Sequence, residues 1–213
     1  MYETFEKLSD SKKNQIIQVC LEEFVENGYK NTSTNTIVKR LGISKGVLFL
    51  YFKNKKNLYL YLVEYIMEIV VKDYFGSLEP VINIDIFDNL GEYYKELMQK
   101  NPVVFLFMLQ AFINTPEELK AEVDARHNKA HDNMFQHMNT VGFRQGIDIR
   151  LVDDLLHMVS YYVGQLIFND LKGKVLTTTN KEEISKNIEN YAELFAKYVD
   201  ILKYGVYERN DLR

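Results

Sequence analysis

Apolar residues recur along this chain at steps of three and four almost everywhere, the spacing that keeps one face of an α-helix dry. Between residues 10 and 27, Ile16, Ile17, Cys20, Leu21, Phe24 and Val25 form such a stripe, and Gly28 stands where a glycine ends a helix. A short segment follows, with Ser33 or Thr34 as its cap, Ile37, Val38 and Leu41 as its apolar side, and Gly42 as its stop. Ile43 is an apolar plug, Ser44 caps the next helix, and Leu48 and Phe52 lie four apart on one face of it. Asn54 can cap a long helix running to about Phe75.

A boundary is expected over 76–85, where Gly76, Ser77 and Pro80 cluster. Helices are predicted near 85–99 and 102–114. Thr115-Pro116-Glu117-Glu118 then offers a threonine cap, a proline at the first helical position and a glutamate three residues after the cap, opening a helix to about Val141. Gly142 and Gly146 break it, and a long apolar helix spans about 148–172. Gly173 and Thr177 to Thr179 make the last loop, and Thr179 with Glu182 can open a helix over about 181–206. No stretch alternates long enough to be a strand, so the expected fold is all-α, with about nine helices.

Composition narrows the class without changing that picture. The 213 residues are 46% hydrophobic and 26% charged, with three prolines and ten glycines, which is a globular rather than a disordered chain. One cysteine excludes an internal disulfide and any multi-cysteine metal cage, and fits a reducing, cytoplasmic setting. The stripe makes Cys20 a small core residue. The first residues carry no apolar run or cleavage pattern, so no signal peptide is expected. The longest uncharged run, 101–116, is 16 residues long and too short to span a membrane. The net charge of −4 is unevenly spread: residues 1–60 carry ten Lys and Arg against six Asp and Glu, and the rest is net acidic. A basic head on an acidic body points to a polyanionic partner for the head alone.

Two short helices joined by Gly42-Ile43-Ser44 make a helix-turn-helix. Gly42 can take the left-handed conformation that lets two helices cross sharply. Leu41, Ile43, Leu48 and Phe52 can pack the crossing, which leaves Ser44, Lys45, Gly46, Val47, Leu50 and Tyr51 on the outer side of the second helix, where side chains reach base edges in a major groove. Ser33 and Thr34 offer hydroxyls and free N–H groups at a helix start, a phosphate site, and Lys55 adds a charge at another.

Residues 28–59, GYKNTSTNTIVKRLGISKGVLFLYFKNKKNLY, resemble the N-terminal signature of the tetracycline-repressor (TetR) family. The matching positions are Gly28-Tyr29, Thr32-Ser33, Ile37, Leu41 to Gly46, Leu48, Tyr51-Phe52 and Lys53-Asn54-Lys55. The resemblance implies that Ser33 and Thr34 meet phosphate, that Asn35 can touch a base, that Lys45, Gly46 and Val47 begin the base-reading helix, and that Tyr51 and Lys55 contact the backbone. Two positions depart from the family. Phe49 replaces the usual tyrosine and lacks its hydroxyl, and Leu50 replaces a tyrosine, histidine or tryptophan. The family's architecture implies a helix-turn-helix DNA-binding domain over 1–54 and a helical effector-binding and dimerisation domain over 55–213.

In that second domain the aromatic and methionine residues cluster, and most of them are core. The resemblance implies a small-molecule pocket among them, and Phe105, Met108, Phe112, Met134, Met138, Met158 and Tyr162 are the candidate lining residues for an apolar effector. Ile184, Ile188, Tyr191, Phe195, Tyr198 and Leu202 form a heptad-like seam, and 148–172 is apolar on more than one side, with Gly164 permitting close helix approach. The family's dimers use the last two long helices, which implies a symmetric homodimer on a palindromic double-stranded operator. His127 and His131 lie four apart on one helix, a spacing that can hold a metal, but the surroundings are those of a solvated face and no metal or other cofactor is expected. No nucleotide-binding or nucleophile-elbow motif is present, and the acidic pairs are adjacent residues that do not face each other, so no catalytic residue is assigned. The expected function is a ligand-responsive transcriptional repressor with no membrane association. The alternatives are a DNA-binding chromosome organiser without an effector, and a small-molecule carrier or enzyme.

Overall fold

The computed structural model describes residues 2–70, 86–136, 143, 145–171, 174 and 181–205, with backbone alone over 86–90, 129–136 and 181–185. Among the described residues the chain is ten α-helices and one 3-10 turn, without a strand. The helices are α1 (Glu3–Glu6), α2 (Asp10–Asn31), α3 (Thr34–Leu41), α4 (Lys45–Phe52), α5 (Lys55–Val70), α6 (Ile86–Lys100), α7 (Pro102–Ile113), α8 (Lys120–Gln136), α9 (Ile149–Leu171) and α10 (Lys181–Tyr204). None of them is long and apolar enough to cross a membrane. The all-α expectation holds. The helix absent from the sequence reading is α1, whose Phe5 is fully buried and packs against Phe52 and Tyr61 at centroid distances of 4.8 and 5.2 Å.

The stripe on α2 is buried as the spacing predicts, Cys20 included, and burial pushes its thiol up to about 12, which leaves it unreactive. Gly28 takes φ +69° and kinks the end of α2, where the Thr32 hydroxyl donates to the carbonyls of Glu23 and Gly28 at 3.1 and 2.7 Å. Asn54 caps α5 through Asn57 N–H at 2.8 Å.

One expected start does not form as read. Pro116 has ψ 136° and is not helical; Glu117–Leu119 is a 3-10 turn leading into α8. The Thr115 hydroxyl is bonded back to the Ala111 carbonyl, which closes α7 instead of opening α8. Serine and threonine choose between these two local partners, and here the end of the buried helix wins. The expected ends of α5 and α8, the boundary over 76–85, Gly142, Gly173, Thr177 to Thr179 and the capping box on Glu182 lie outside the described residues or side chains.

Helix α7 organises the molecule. Residues 103–111 are buried all round, and α7 packs against α2, α5, α6 and α9. A helix with no polar face must be enclosed, so α7 joins the N-terminal helices to the body. At that junction Phe107 meets Phe24 of α2 at 6.1 Å and Tyr59 of α5 at 5.2 Å. The Tyr59 hydroxyl is buried with no hydrogen-bond partner among the described residues. Tyr59→Phe is therefore expected to leave stability unchanged or raise it by up to about 1 kcal/mol, because a buried hydroxyl without a partner only costs desolvation. Urea denaturation checks this, and a loss above about 1 kcal/mol would show that the hydroxyl is satisfied.

Candidate nucleic-acid interface

The turn between α3 and α4 is built by three residues. Gly42 takes φ +64°, and the Ile43 N–H reaches back to the Val38 carbonyl at 3.1 Å, closing α3 with a left-handed stop. Ser44 Oγ then accepts the Val47 N–H at 3.2 Å and starts α4. Leu41, Leu48 and Phe52 are buried beneath the crossing, with Ile43 packed beside them. The orientation of α4 is thus set by its buried side.

Its other side presents what the spacing predicted. Ser44, Lys45 and Gly46 are exposed, Val47 is half-buried, and Leu50 is 64% exposed. Phe49 is half-buried, with the Lys45 ammonium 5.6 Å from its ring centroid, so the ring supports the cation. Tyr51 is half-buried, edge-on to Phe5 at 5.6 Å. On α3, Ser33 occupies the cap position without a side-chain capping bond, Thr34 is half-buried and Asn35 is exposed. Lys53, exposed just past α4, takes φ +63°. From 27 to 63 the chain holds seven Lys and Arg and no Asp or Glu, a stretch of uniform sign that suits a polyanion.

Lys55 is placed differently from the expectation of a backbone contact. Its ammonium donates to the carbonyls of Tyr29, Lys30 and Thr32 at 2.8, 3.1 and 3.2 Å and lies 4.8 Å from the Tyr29 ring centroid. All three donors are committed, and the residue clamps the end of α2 to the start of α5. No sequence motif signals this, because the three carbonyls belong to a segment 23 to 26 residues away.

The candidate ligand residues with described side chains lie on two helices, α7 and α9. Phe105 and Met108 are buried on α7, and Phe112 is half-buried with its ring 5.1 Å from that of His127. Met158 and Tyr162 are 59% and 51% exposed on the outer side of α9. The Met134 side chain and Met138 lie outside the described residues, as does the His131 side chain. An open groove of about 550 Å³ between α6 and α10 is lined by Gly91, Lys95, Glu189, Phe195 and Val199 among others, and by none of the seven candidates. His127 and His157 meet at 5.5 Å, but the described residues hold no group of three side chains able to bind a metal. Gly164 serves a close approach within the chain: a Cβ there would collide with Ile113 and lie 3.1 Å from Leu109, both on α7. The seam on α10 likewise turns inward, with Ile188 and Phe195 buried where α10 packs on α6 and α9. Among the described residues from α6 onward, the exposed large apolar side chains are Leu151, Leu155, Met158, Tyr161 and Tyr162 on α9, with Ile201 and Tyr204 on α10.

Residues 16–62, which contain the turn and all of α3 and α4, match the family of bacterial regulatory proteins known as the tetR family. The chain is 25% identical over 171 residues to an uncharacterised HTH-type transcriptional regulator, YerO, of Bacillus subtilis, covering 75% of this chain and 57% of that protein. It is 48% identical over 48 residues to the HTH-type transcriptional regulator QacR of Staphylococcus aureus, covering 22% of this chain and 26% of QacR. The match therefore spans little more than half of one curated relative and about a quarter of the other. Among solved structures, the transcriptional regulator FadR from Bacillus subtilis, in complex with stearoyl-CoA, shares the fold with a TM-score of 0.68 at 18% identity, over 91% of this chain and 99% of FadR. A TetR family transcriptional regulator from Chloroflexus aurantiacus does so with a TM-score of 0.63 at 21% identity, over 97% and 98%. The helix-turn-helix segment, residues 16–62, is thus matched by the tetR family of bacterial regulatory proteins, and the chain shares its overall fold with these two solved transcriptional regulators.

Proposed function

We propose that this protein is a ligand-responsive, sequence-specific DNA-binding regulator, a repressor that leaves a palindromic operator when a small apolar effector enters its body. The observation that carries the reading is the exposed side of α4. Its axis is held by Gly42 and Ser44, its outer residues are Ser44, Lys45, Gly46 and Leu50, and the surrounding stretch is purely cationic. Residues 1–54 form the reading head in this proposal and 55–213 the effector and dimerisation body, with no catalytic role.

Leu151, Leu155, Met158 and Tyr162 follow steps of four, three and four along the exposed side of α9. Such a stripe supports a homodimer through α9 and α10, a pair of helices from each copy. Two heads then span half-sites about 34–36 Å apart, or multiples of it. Effector and operator are coupled through contacts already in place. Helix α7 touches both α9 and α2, and α8 is tied to α5 by the ion pairs Lys56–Glu122 and Arg126–Glu64, the latter at 2.8 Å. A shift of α7 or α8 on effector binding changes the separation of the two α4 helices, and operator affinity falls. The FadR structure, which shares this fold, is a complex with stearoyl-CoA, so long-chain acyl compounds belong in the first effector panel.

The test is capture of fragmented source-genome DNA by the purified protein at stated, near-physiological salt, followed by sequencing. One or a few palindromes should be retained and released by an effector. Broad retention or none overturns the reading, as does an effector that binds tightly and leaves operator affinity unchanged.

A further inference from the structure

Leu50 is the one large apolar side chain with most of its surface exposed among the described residues of α1–α5. A lone exposed leucine is ordinary on a protein surface. This one is set apart by its place. It stands on the exposed side of α4, one turn after Val47. Between them Phe49 is occupied under the Lys45 ammonium, and Gly46 leaves bare backbone on the preceding turn. The stretch from 27 to 63 has no carboxylate, and although Arg40 and Lys56 pair with Glu22 and Glu122 and Lys55 is turned inward, Lys30, Lys39, Lys45 and Lys53 are exposed, so the surface that approaches Leu50 is a polyanion's. Leucine can neither donate nor accept a hydrogen bond, so it cannot sense the polar code of a base edge. The major groove offers one apolar feature, the C5-methyl group of thymine.

We propose that Leu50, backed by Val47, is a specificity-determining residue that reads a thymine methyl in each half-site of the operator. This inference rests on the DNA-binding reading above. It makes A·T preference at one position per half-site a property of methyl contact rather than of hydrogen bonding.

Sites are first selected from random-sequence duplexes by the full-length protein. The consensus is then remade with deoxyuridine in place of each thymine in turn, and dissociation constants are measured at one salt concentration. One symmetric position should show a loss of about fourfold per half-site, about fifteenfold when both halves are changed, the value of burying one methyl group. Leu50→Ala should bind the thymine site more weakly, show less than a twofold uracil penalty at that position, and keep the wild-type salt dependence, since no phosphate contact is removed. Leu50 is exposed, so this variant should melt with the wild type. A uracil penalty below twofold at every position, or one that persists in Leu50→Ala, overturns the proposal and leaves the regulator reading standing. Selection that enriches no sequence at all overturns both.

Discussion

Phe107→Ala should lower the stability of this protein by about 3–5 kcal/mol, the cost of removing a fully enclosed aromatic ring. Phe107 has no exposed surface, and it touches Phe24 and Tyr59 from the centre of α7. Its aromatic neighbours belong to two different helices, α2 and α5, so the space it leaves cannot close by the movement of one of them. Domains of this kind are stable by only about 5–15 kcal/mol in total, so the loss should be visible as a large drop in the urea midpoint followed by far-ultraviolet circular dichroism. Phe107→Leu should recover much of it, because most of the volume returns. A loss below about 1 kcal/mol for alanine would mean that the junction between the N-terminal helices and the body is loosely packed. The route proposed for effector coupling through α7 would then fail with it.

Lys55→Met is expected to cost about 2 kcal/mol, from charge-assisted hydrogen bonds to three carbonyls at a half-buried site. Methionine keeps the length and apolar stem of lysine and loses only the ammonium. Arginine should not restore the loss, since a planar guanidinium cannot donate to three carbonyls converging on one point. The distinguishing measurement is the salt dependence of DNA binding. A lysine that met phosphate would reduce the slope by about one unit when removed. Because the Lys55 ammonium is turned to the end of α2, the slope should stay as in the wild type while the denaturation midpoint falls. An unchanged midpoint with a reduced slope would return Lys55 to the backbone-contacting role that its place in the motif implies.

The two predictions mark where reading the chain in order succeeds and where it stops. The turn at Gly42-Ile43-Ser44 was legible because every partner it needs lies close by along the chain, none beyond the end of the next short helix: the left-handed glycine, the Ser44 cap on Val47, and Leu48 and Phe52 on the buried side. The same locality exposed the stripe of α2 and made Cys20 a core residue. Thr115 failed for a local reason too. Its hydroxyl had two partners in reach, the start of α8 and the end of α7, and only the burial of α7 decides between them.

In the body the limits are of another kind. Periodicity shows that a helix has an apolar side, but two helices with two apolar sides can be paired in several ways at nearly equal local cost. Gly164 and the seam on α10 could serve a partner or their own chain as far as spacing goes, and packing turned both inward, against α7 and α6. Met158 and Tyr162 share chemistry with Met108 and Phe105 but are exposed on α9, where those two are buried on α7.

Order along the chain was therefore enough for the helical class, for α4 and for its outward residues, because these follow from contacts within one or two turns. Which helix is enclosed, where the Lys55 ammonium goes, and which apolar side of α9 remains open were chosen only when the helices packed. Those choices depend on contacts between residues tens of positions apart, and no local pattern encodes them.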